Sequence, residues 1–241
     1  MSAVEFRSAG FKVGARKILD NFQLNVETGE TLVLLGRSGS GKTTALKMVN
    51  GLNRASAGAV VVEGRPVADW DPIALKRNIG YVIQESGLFP HFTVARNIGL
   101  VPKLLGWEAA RIDERVGELL EVVGMPPREF ADRYPRQLSG GQRQRVGVAR
   151  ALAADPPLLL FDEPFGALDP ISRVELQREF LRLRDKFHKT SLFVTHDVRE
   201  AMKLGTRIAL VNEGQVAFTA TPEEFRRTSH PQARAFLDSL E

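Results

Sequence analysis

The residues Gly36-Arg37-Ser38-Gly39-Ser40-Gly41-Lys42-Thr43, followed by Thr44, carry the densest chemistry in the chain. They fit the pattern G-x-x-x-x-G-K-[ST], with an apolar run of strand length before them and a helical stretch after. The glycines let the backbone N–H groups of Ser38 to Thr43 curl around an anion at a helix N-terminus. Lys42 can then reach the outer phosphates of a polyphosphate, and the Thr43 hydroxyl can ligate Mg²⁺. The plain alternative is a Gly/Ser-rich turn with a chance lysine, and the strand and helix on either side argue against it.

Leu158–Glu163 (LLLFDE) supplies a complement. A buried strand ending in Asp162 and Glu163 puts two carboxylates at its C-terminal edge, where parallel sheets hold their ligands. Asp162 suits Mg²⁺, which prefers carboxylate oxygen and bound water, and Glu163 suits a general base acting on water. Alone, such a pair before a proline is more often just a strand end. A third string, Leu138-Ser139-Gly140-Gly141-Gln142, is a second phosphate nest: a serine N-cap and two glycines open a helix whose dipole favours an anion. One domain rarely needs two nests. Two copies facing head to tail would use both, although the residues alone leave open an ordinary Ser-capped helix with a flexible glycine pair.

These motifs need a frame. Thr31–Gly36, Ile79–Gln84, Leu158–Asp162 and Ser191–Thr195 are apolar runs that predict buried parallel strands. Phe22–Val26 and Ala59–Glu63 alternate apolar with polar and predict antiparallel edge strands, while Arg207–Val211 and Gln215–Thr219 flank the turn signal Asn-Glu-Gly. Between about Pro90 and Asp155 the pattern is helix, loop, helix. Trp107–Val123 places Ile112, Val116, Leu119, Leu120 and Val123 at helical spacing and ends at Gly124. Ser139 opens a helix to about Ala154, stopped by Asp155-Pro156-Pro157, and a helix over Ser172–Phe187 returns the chain to the core. The expectation is one α/β domain over 1–241. Its core, 1–88 and 156–241, is a mostly parallel sheet with helices and an N-terminal antiparallel β part, and a helical part is inserted at 89–155.

Composition narrows the class. With 241 residues, 43% hydrophobic, 26% charged and a formal charge of +4, a disordered chain is excluded and a sizeable core is available. The absence of cysteine excludes disulfides, thiolate metal sites and a cysteine nucleophile. The histidines His91, His188, His196 and His230 show no metal-ligand spacing. No run approaches the roughly 18 apolar residues of a membrane span, and the first residues lack a signal-peptide stretch, so a cytosolic location is expected.

LSGGQ, joined to GRSGSGKTT and LLLFDEP, resembles the ATP-binding subunit of ABC transporters over nearly the whole chain. The resemblance implies the P-loop NTPase (RecA-like) core, ATP with Mg²⁺ as ligands, and a head-to-tail dimer, most simply a homodimer, that hydrolyses ATP between its copies. It assigns Gln84 to the Q-loop, touching Mg²⁺ or the water, and Ala167-Leu168-Asp169 to the D-loop, with Asp169 crossing to the partner's phosphate loop. His196 becomes the switch histidine that bonds the γ-phosphate. Ser139, Gly140, Gly141 and Gln142 form the signature that closes on the partner's ATP. Phe11 stands where the family stacks an aromatic, usually tyrosine, on adenine; the π-face is kept and a hydroxyl lost. The metal set is Thr43, Gln84 and Asp162, with Glu163, His196 and Lys42 catalytic.

The stretch IGYVIQESGLFPHFTVARNIGLVPKLLGW is similar to the ATPases of osmoprotectant importers, which carry glycine betaine, choline or carnitine. That implies permease subunits in the membrane, a substrate-binding protein and attachment at the cytoplasmic face. Gly87–Val94, with two Phe and a Pro just after Gln84, reads as a docking segment with Phe89 exposed, against the plainer reading as core of the helical insert. Many members carry a regulatory extension, and none is expected after the final helix Pro231–Leu240. The rival readings are an importer for an amino acid or polyamine, or an ABC-type ATPase acting on nucleic acid or ribosomes. One phosphate loop and no sustained heptads speak against the last, so no nucleic-acid partner is expected.

Overall fold

The computed structural model describes residues 2–84, 87–166 and 168–240; Ala167, assigned to the D-loop, lies outside the described residues. In chain order, β1 (Ser2–Val13), β2 (Arg16–Glu27) and β3 (Thr31–Leu35) lead to α1 (Lys42–Val49). Next come β4 (Ala57–Val62), β5 (Arg65–Pro66), α2 (Pro72–Arg77) and β6 (Ile79–Val82). A helical stretch follows: α3 (Val94–Ile98), α4 (Leu100–Leu104), α5 (Ala109–Val122), α6 (Pro127–Phe130) and α7 (Gly140–Leu152). The chain then forms β7 (Leu158–Asp162), α8 (Pro170–Phe187), β8 (Thr190–Thr195) and α9 (Val198–Leu204). It ends with β9 (Arg207–Asn212), β10 (Gln215–Ala220), α10 (Pro222–Arg227) and α11 (Pro231–Leu237). These elements fall into two compact units, Met1–Lys76 with Lys189–Glu241, and Arg77–His188.

In the first unit β3 lies between β8 and β9, parallel to both, and β10 adds to β9 antiparallel. Leu32–Leu35, Leu192–Val194 and Ile208–Leu210 are essentially inaccessible to solvent. Strands buried on both faces carry continuous apolar runs, which is why these segments showed no alternation. The second sheet has the order β2-β1-β4-β5 and is antiparallel throughout. Alternate residues of it (Val4, Phe6; Phe22, Leu24, Val26) fill a core in which the Phe6 and Phe22 rings meet edge to face at 5.0 Å. Phe22–Val26 belongs to an edge strand as expected, but Ala59–Glu63 does not. It falls largely in β4, which is covered on one side by β1 and on the other by the two-residue β5.

In the second unit β6 and β7 pair in parallel, with Ile79 opposite Leu158 and Val82 opposite Phe161. Helix α5 buries Val116, Leu119 and Leu120, and the chain turns away at Gly124 with φ +68°. Helix α8 starts at Pro170 rather than Ser172, because the Asp169 side chain caps it and proline suits the first helical position. The Phe161 ring of β7 packs edge to face on Phe180 of α8 at 5.1 Å. Among the described residues, no helix is long and apolar enough to cross a membrane.

Candidate functional site

The glycine loop is a consequence of how tightly β3 and its neighbours approach. A Cβ on Gly36 would lie 2.3 Å from the Val211 carbonyl oxygen, so only glycine lets the chain leave β3 here. Gly41 caps α1 at φ +104°, where a Cβ would also strike the Leu19 side chain at 2.6 Å. The Ser40 carbonyl accepts from the Gly214 N–H at 3.0 Å, which ties the loop to the β9–β10 turn. Lys42 is only 3% exposed; its Nζ donates to the carbonyls of Gly36 at 2.8 Å and Arg37 at 2.9 Å. Ser38 and Gly39 are exposed at the rim, Thr43 and Thr44 half-buried in the first turn of α1. The Ser40 hydroxyl is buried and lacks a hydrogen-bond partner among the described residues. A buried cation, an orphaned hydroxyl and a helix N-terminus form a cradle for phosphate.

His196 follows β8 directly. Thr195 pairs with Leu35, so His196 and Gly36 leave adjacent parallel strands at the same level. The Thr195 hydroxyl donates to Glu200 at 2.7 Å and accepts from the Asp197 N–H at 3.0 Å, fixing the backbone on both sides of the exposed His196. Phe11 is half-buried and pairs across β1 and β2 with Leu19, the residue that closes against Gly41. The first unit thus gathers Phe11, the loop 36–44 and His196.

In the second unit Asp162, 8% exposed, ends β7 and accepts a hydrogen bond from the Tyr81 hydroxyl of β6 at 3.2 Å. Burial, then the Asp162 charge and this hydrogen bond, push the Tyr81 hydroxyl above its ordinary value of 10. Tyr81 therefore stays a donor and orients the carboxylate. Glu163 has φ +45°, a left-handed backbone that costs a side-chain-bearing residue about 1–3 kcal/mol and that clusters at functional sites. Its carbonyl accepts from the Gly166 N–H at 3.1 Å, and Gln84 Nε2 lies 3.4 Å from where a Gly166 Cβ would stand. Gln84, Asp162 and Glu163 therefore share one corner. Mg²⁺ usually takes one or two carboxylates beside substrate phosphates rather than an all-protein cage. Asp162 and Gln84 in this unit carry oxygens of the kind it prefers, as does Thr43 in the first unit, so the donor chemistry suits it.

Ser139 caps α7 as expected: its Oγ accepts from the Gln142 N–H at 3.2 Å, and Gln142 Oε1 accepts from the Ser139 N–H at 2.9 Å. Ser139 and Gly140 are exposed. A Cβ on Gly141 would come within 3.3 Å of Ser172, and one on Gly140 would come within 3.9 Å of Leu168. Asp169 caps α8 by accepting from the N–H groups of Ile171 and Ser172 at 3.1 and 3.0 Å. Hydrogen bonds from Ser172, its side chain first, hold the Asp169 carboxyl below its ordinary range. The starts of α7 and α8 thus lie side by side, with Ile171 and Val174 exposed beside them. Sequence reasoning missed Tyr81 and the Thr195–Glu200 pair. Only the pair is close enough in sequence to have left a signal.

The family described as ABC transporter matches residues 19–166. Over 214 residues the chain is 52% identical to the choline transport ATP-binding protein OpuBA of Bacillus subtilis, covering 89% of this chain and 56% of that protein. It is also 52% identical over 208 residues to the osmoprotectant import ATP-binding protein OsmV of Salmonella typhimurium, covering 86% and 54%. The solved dimer of the ATP-binding cassette MJ0796, in a post-hydrolysis state bound to ADP and Pi, superposes with a TM-score of 0.80 at 33% identity, covering 91% of this chain and 98% of that one. The chain spans a little over half the length of the two curated relatives. With the phosphate loop, the capped signature helix and the strand-end carboxylates in that family's order, this chain belongs to the ABC transporter family.

Proposed function

We propose that the chain is the ATP-hydrolysing subunit of an importer for quaternary-amine osmoprotectants such as choline, glycine betaine or carnitine. The observation that carries the ATPase reading is the buried Lys42 ammonium held inside a glycine loop at the end of a buried strand. The solute class is supported by the relatives, named for choline and osmoprotectant transport.

ATP would lie with adenine on Phe11 and its phosphates against the N–H groups of residues 36–44, with Lys42 turning from its own carbonyls toward the β- and γ-oxygens. When bound, Mg²⁺ neutralises phosphate charge, and Thr43, Asp162 and Gln84 would hold it. Glu163 takes a proton from the attacking water, and His196 donates to the γ-phosphate and keeps it in line. A second copy supplies Ser139, Gly140 and Gly141 as further donors where charge develops, and Asp169 reaches the opposing phosphate loop. The exposed Ile171 and Val174 beside these caps support a surface that another copy covers.

The permease contact falls on the segment after Gln84. Phe89 is 41% exposed, and buried Asn97 organises the segment by bonding the backbone of Phe89, Phe92 and Thr93. Such a subunit sits peripherally at the cytoplasmic face of the membrane, loaded indirectly by a binding protein. The test is uptake of labelled choline, glycine betaine and carnitine in cells carrying the wild-type chain, Lys42→Ala, or neither. Uptake restored by the wild type alone supports the reading. Uptake that ignores the chain for every quaternary amine discards the solute class, and no ATP hydrolysis by the assembled transporter discards the enzyme.

A further inference from the structure

Helix α7 does more than present Ser139. Five residues into it, Gln144 is 3% exposed and its Nε2 donates to the Ile83 carbonyl at 3.2 Å. Six residues further on, Arg150 donates from Nη1 to the Gly87 carbonyl at 2.8 Å. These two carbonyls lie on either side of Gln84. Just past Arg150 the backbones touch: a Cβ on Gly80 of β6 would fall 2.4 Å from the Ala151 carbonyl oxygen, so β6 lies directly on the helix. The Arg150 guanidinium is buried enough for desolvation to lower its pKa, an environment in which an apolar side chain would pack with less cost. Gln84 in turn lies against the turn that begins at Glu163. All of these contacts fall within the second unit.

We propose that Gln144 and Arg150 are positioning residues that clasp the chain on both sides of Gln84, making its placement beside Glu163 depend on where the Ser139 end of α7 sits. This inference rests on the ATPase reading above. In a head-to-tail dimer Ser139 meets the partner's ATP while Gln84 and Glu163 attend their own, so the clasp couples the two sites. The thirteen residues of α7 span roughly 20 Å as a rigid rod, at about 1.5 Å per residue. Capture of a phosphate at its start moves the backbone flanking Gln84 without any side-chain relay along the way.

The test uses the full chain in its transporter, with ATP hydrolysis measured against ATP concentration. Gln144→Leu keeps the volume and removes the donor. It is expected to lower kcat about tenfold, the scale of a coupling residue, with KM changed less than about twofold and the Hill coefficient for ATP falling toward one. Arg150→Met should do the same, and Arg150→Lys, which can still donate to the Gly87 carbonyl, should restore most of the loss. In a Gln84→Ala background Gln144→Leu should add less than about a twofold further loss, because the residue it acts through is gone.

A folded Gln144→Leu protein with wild-type kcat and Hill coefficient overturns the proposal. So does a full additional loss in the Gln84→Ala background. If the wild-type transporter itself does not hydrolyse ATP, the ATPase reading falls, and the clasp is judged by amide exchange of residues 82–88. Faster exchange there in Gln144→Leu supports it, and unchanged exchange refutes it.

Discussion

In the phosphate-loop unit, the lysine that would meet ATP is buried and already bonded to its own chain, within a loop whose rim is exposed. In the carboxylate unit, half of the groups that would meet ATP are exposed helix caps. Lys42 sits inside its loop against two carbonyls, and Gly36 and Gly41 close on Val211 and Leu19. Ser139 and Asp169, by contrast, bond within the first turns of their own helices and face solvent, next to the apolar Ile171 and Val174. A nest built on a buried strand can be preorganised because the sheet pays no further entropy to hold it. Caps on exposed helix ends have no such support, and their geometry becomes consequential only when a second body presses on them.

The largest expected effect tests the catalytic corner between these extremes. Glu163→Gln keeps shape and the strained φ but removes the base, so kcat should fall at least about a hundredfold while ATP still binds. With ATP added, the variant should elute as a dimer in size-exclusion chromatography, because closure survives and turnover does not. Ordinary turnover would remove Glu163 from its role. Next, Lys42→Ala attacks the preformed half: losing charge-assisted hydrogen bonds worth about 1.5–3 kcal/mol should weaken ATP affinity roughly 10- to 150-fold. Unchanged affinity in an equilibrium binding titration would place the phosphates elsewhere.

Stability separates the halves more finely. Gly41→Ala forces a side chain to φ +104° against Leu19, and should cost about 2 kcal/mol or more, a Tm drop of roughly 4–8 °C for a chain of this size. Ser139→Ala should cost only about 1 kcal/mol as a lost cap. If the two melting curves shift equally, the claim that one half is preformed and the other merely capped is wrong.

How far the amino-acid pattern reached follows the same division. Leu158–Asp162 is found as a strand with the expected ends, and β3 falls one residue short of its expected end, because runs buried on both faces have no competing reading. Ser139 was recognisable as a cap because its partner Gln142 is local. The twelve-residue β1 was not recognised: its register shifts between Phe6 and Ala9, and between Ala9 and Phe11, which breaks the alternation. The short α10 was also missed, although Thr221 and Glu224 form a capping box. Nothing local could have shown that Tyr81 bonds Asp162, or that Gln144 reaches Ile83. Those pairings depend on the β6–β7 register and on α7 lying against β6, which are properties of packing and not of spacing.

The smallest effect concerns Asp169, and pH reads it. Its carboxyl is held below the ordinary 3.8 by hydrogen bonds from Ser172, the side chain first, and Ile171. A depressed folded-state pKa means that the charged cap stabilises the fold above the unfolded value, and that the contribution disappears as pH falls through the folded one. Asp169→Asn keeps an acceptor at the same position and removes the charge, so at neutral pH its Tm should lie only slightly below that of wild type. That gap should stay constant down to about pH 5 and close only below 3.8, where the wild-type carboxylate is itself protonated. A gap that closed nearer pH 6 would mean that a histidine, not this cap, carries the difference. A large gap at neutral pH would mean that the start of α8 is built into the fold as firmly as the phosphate loop, and the contrast between the two units would lose its clearest case.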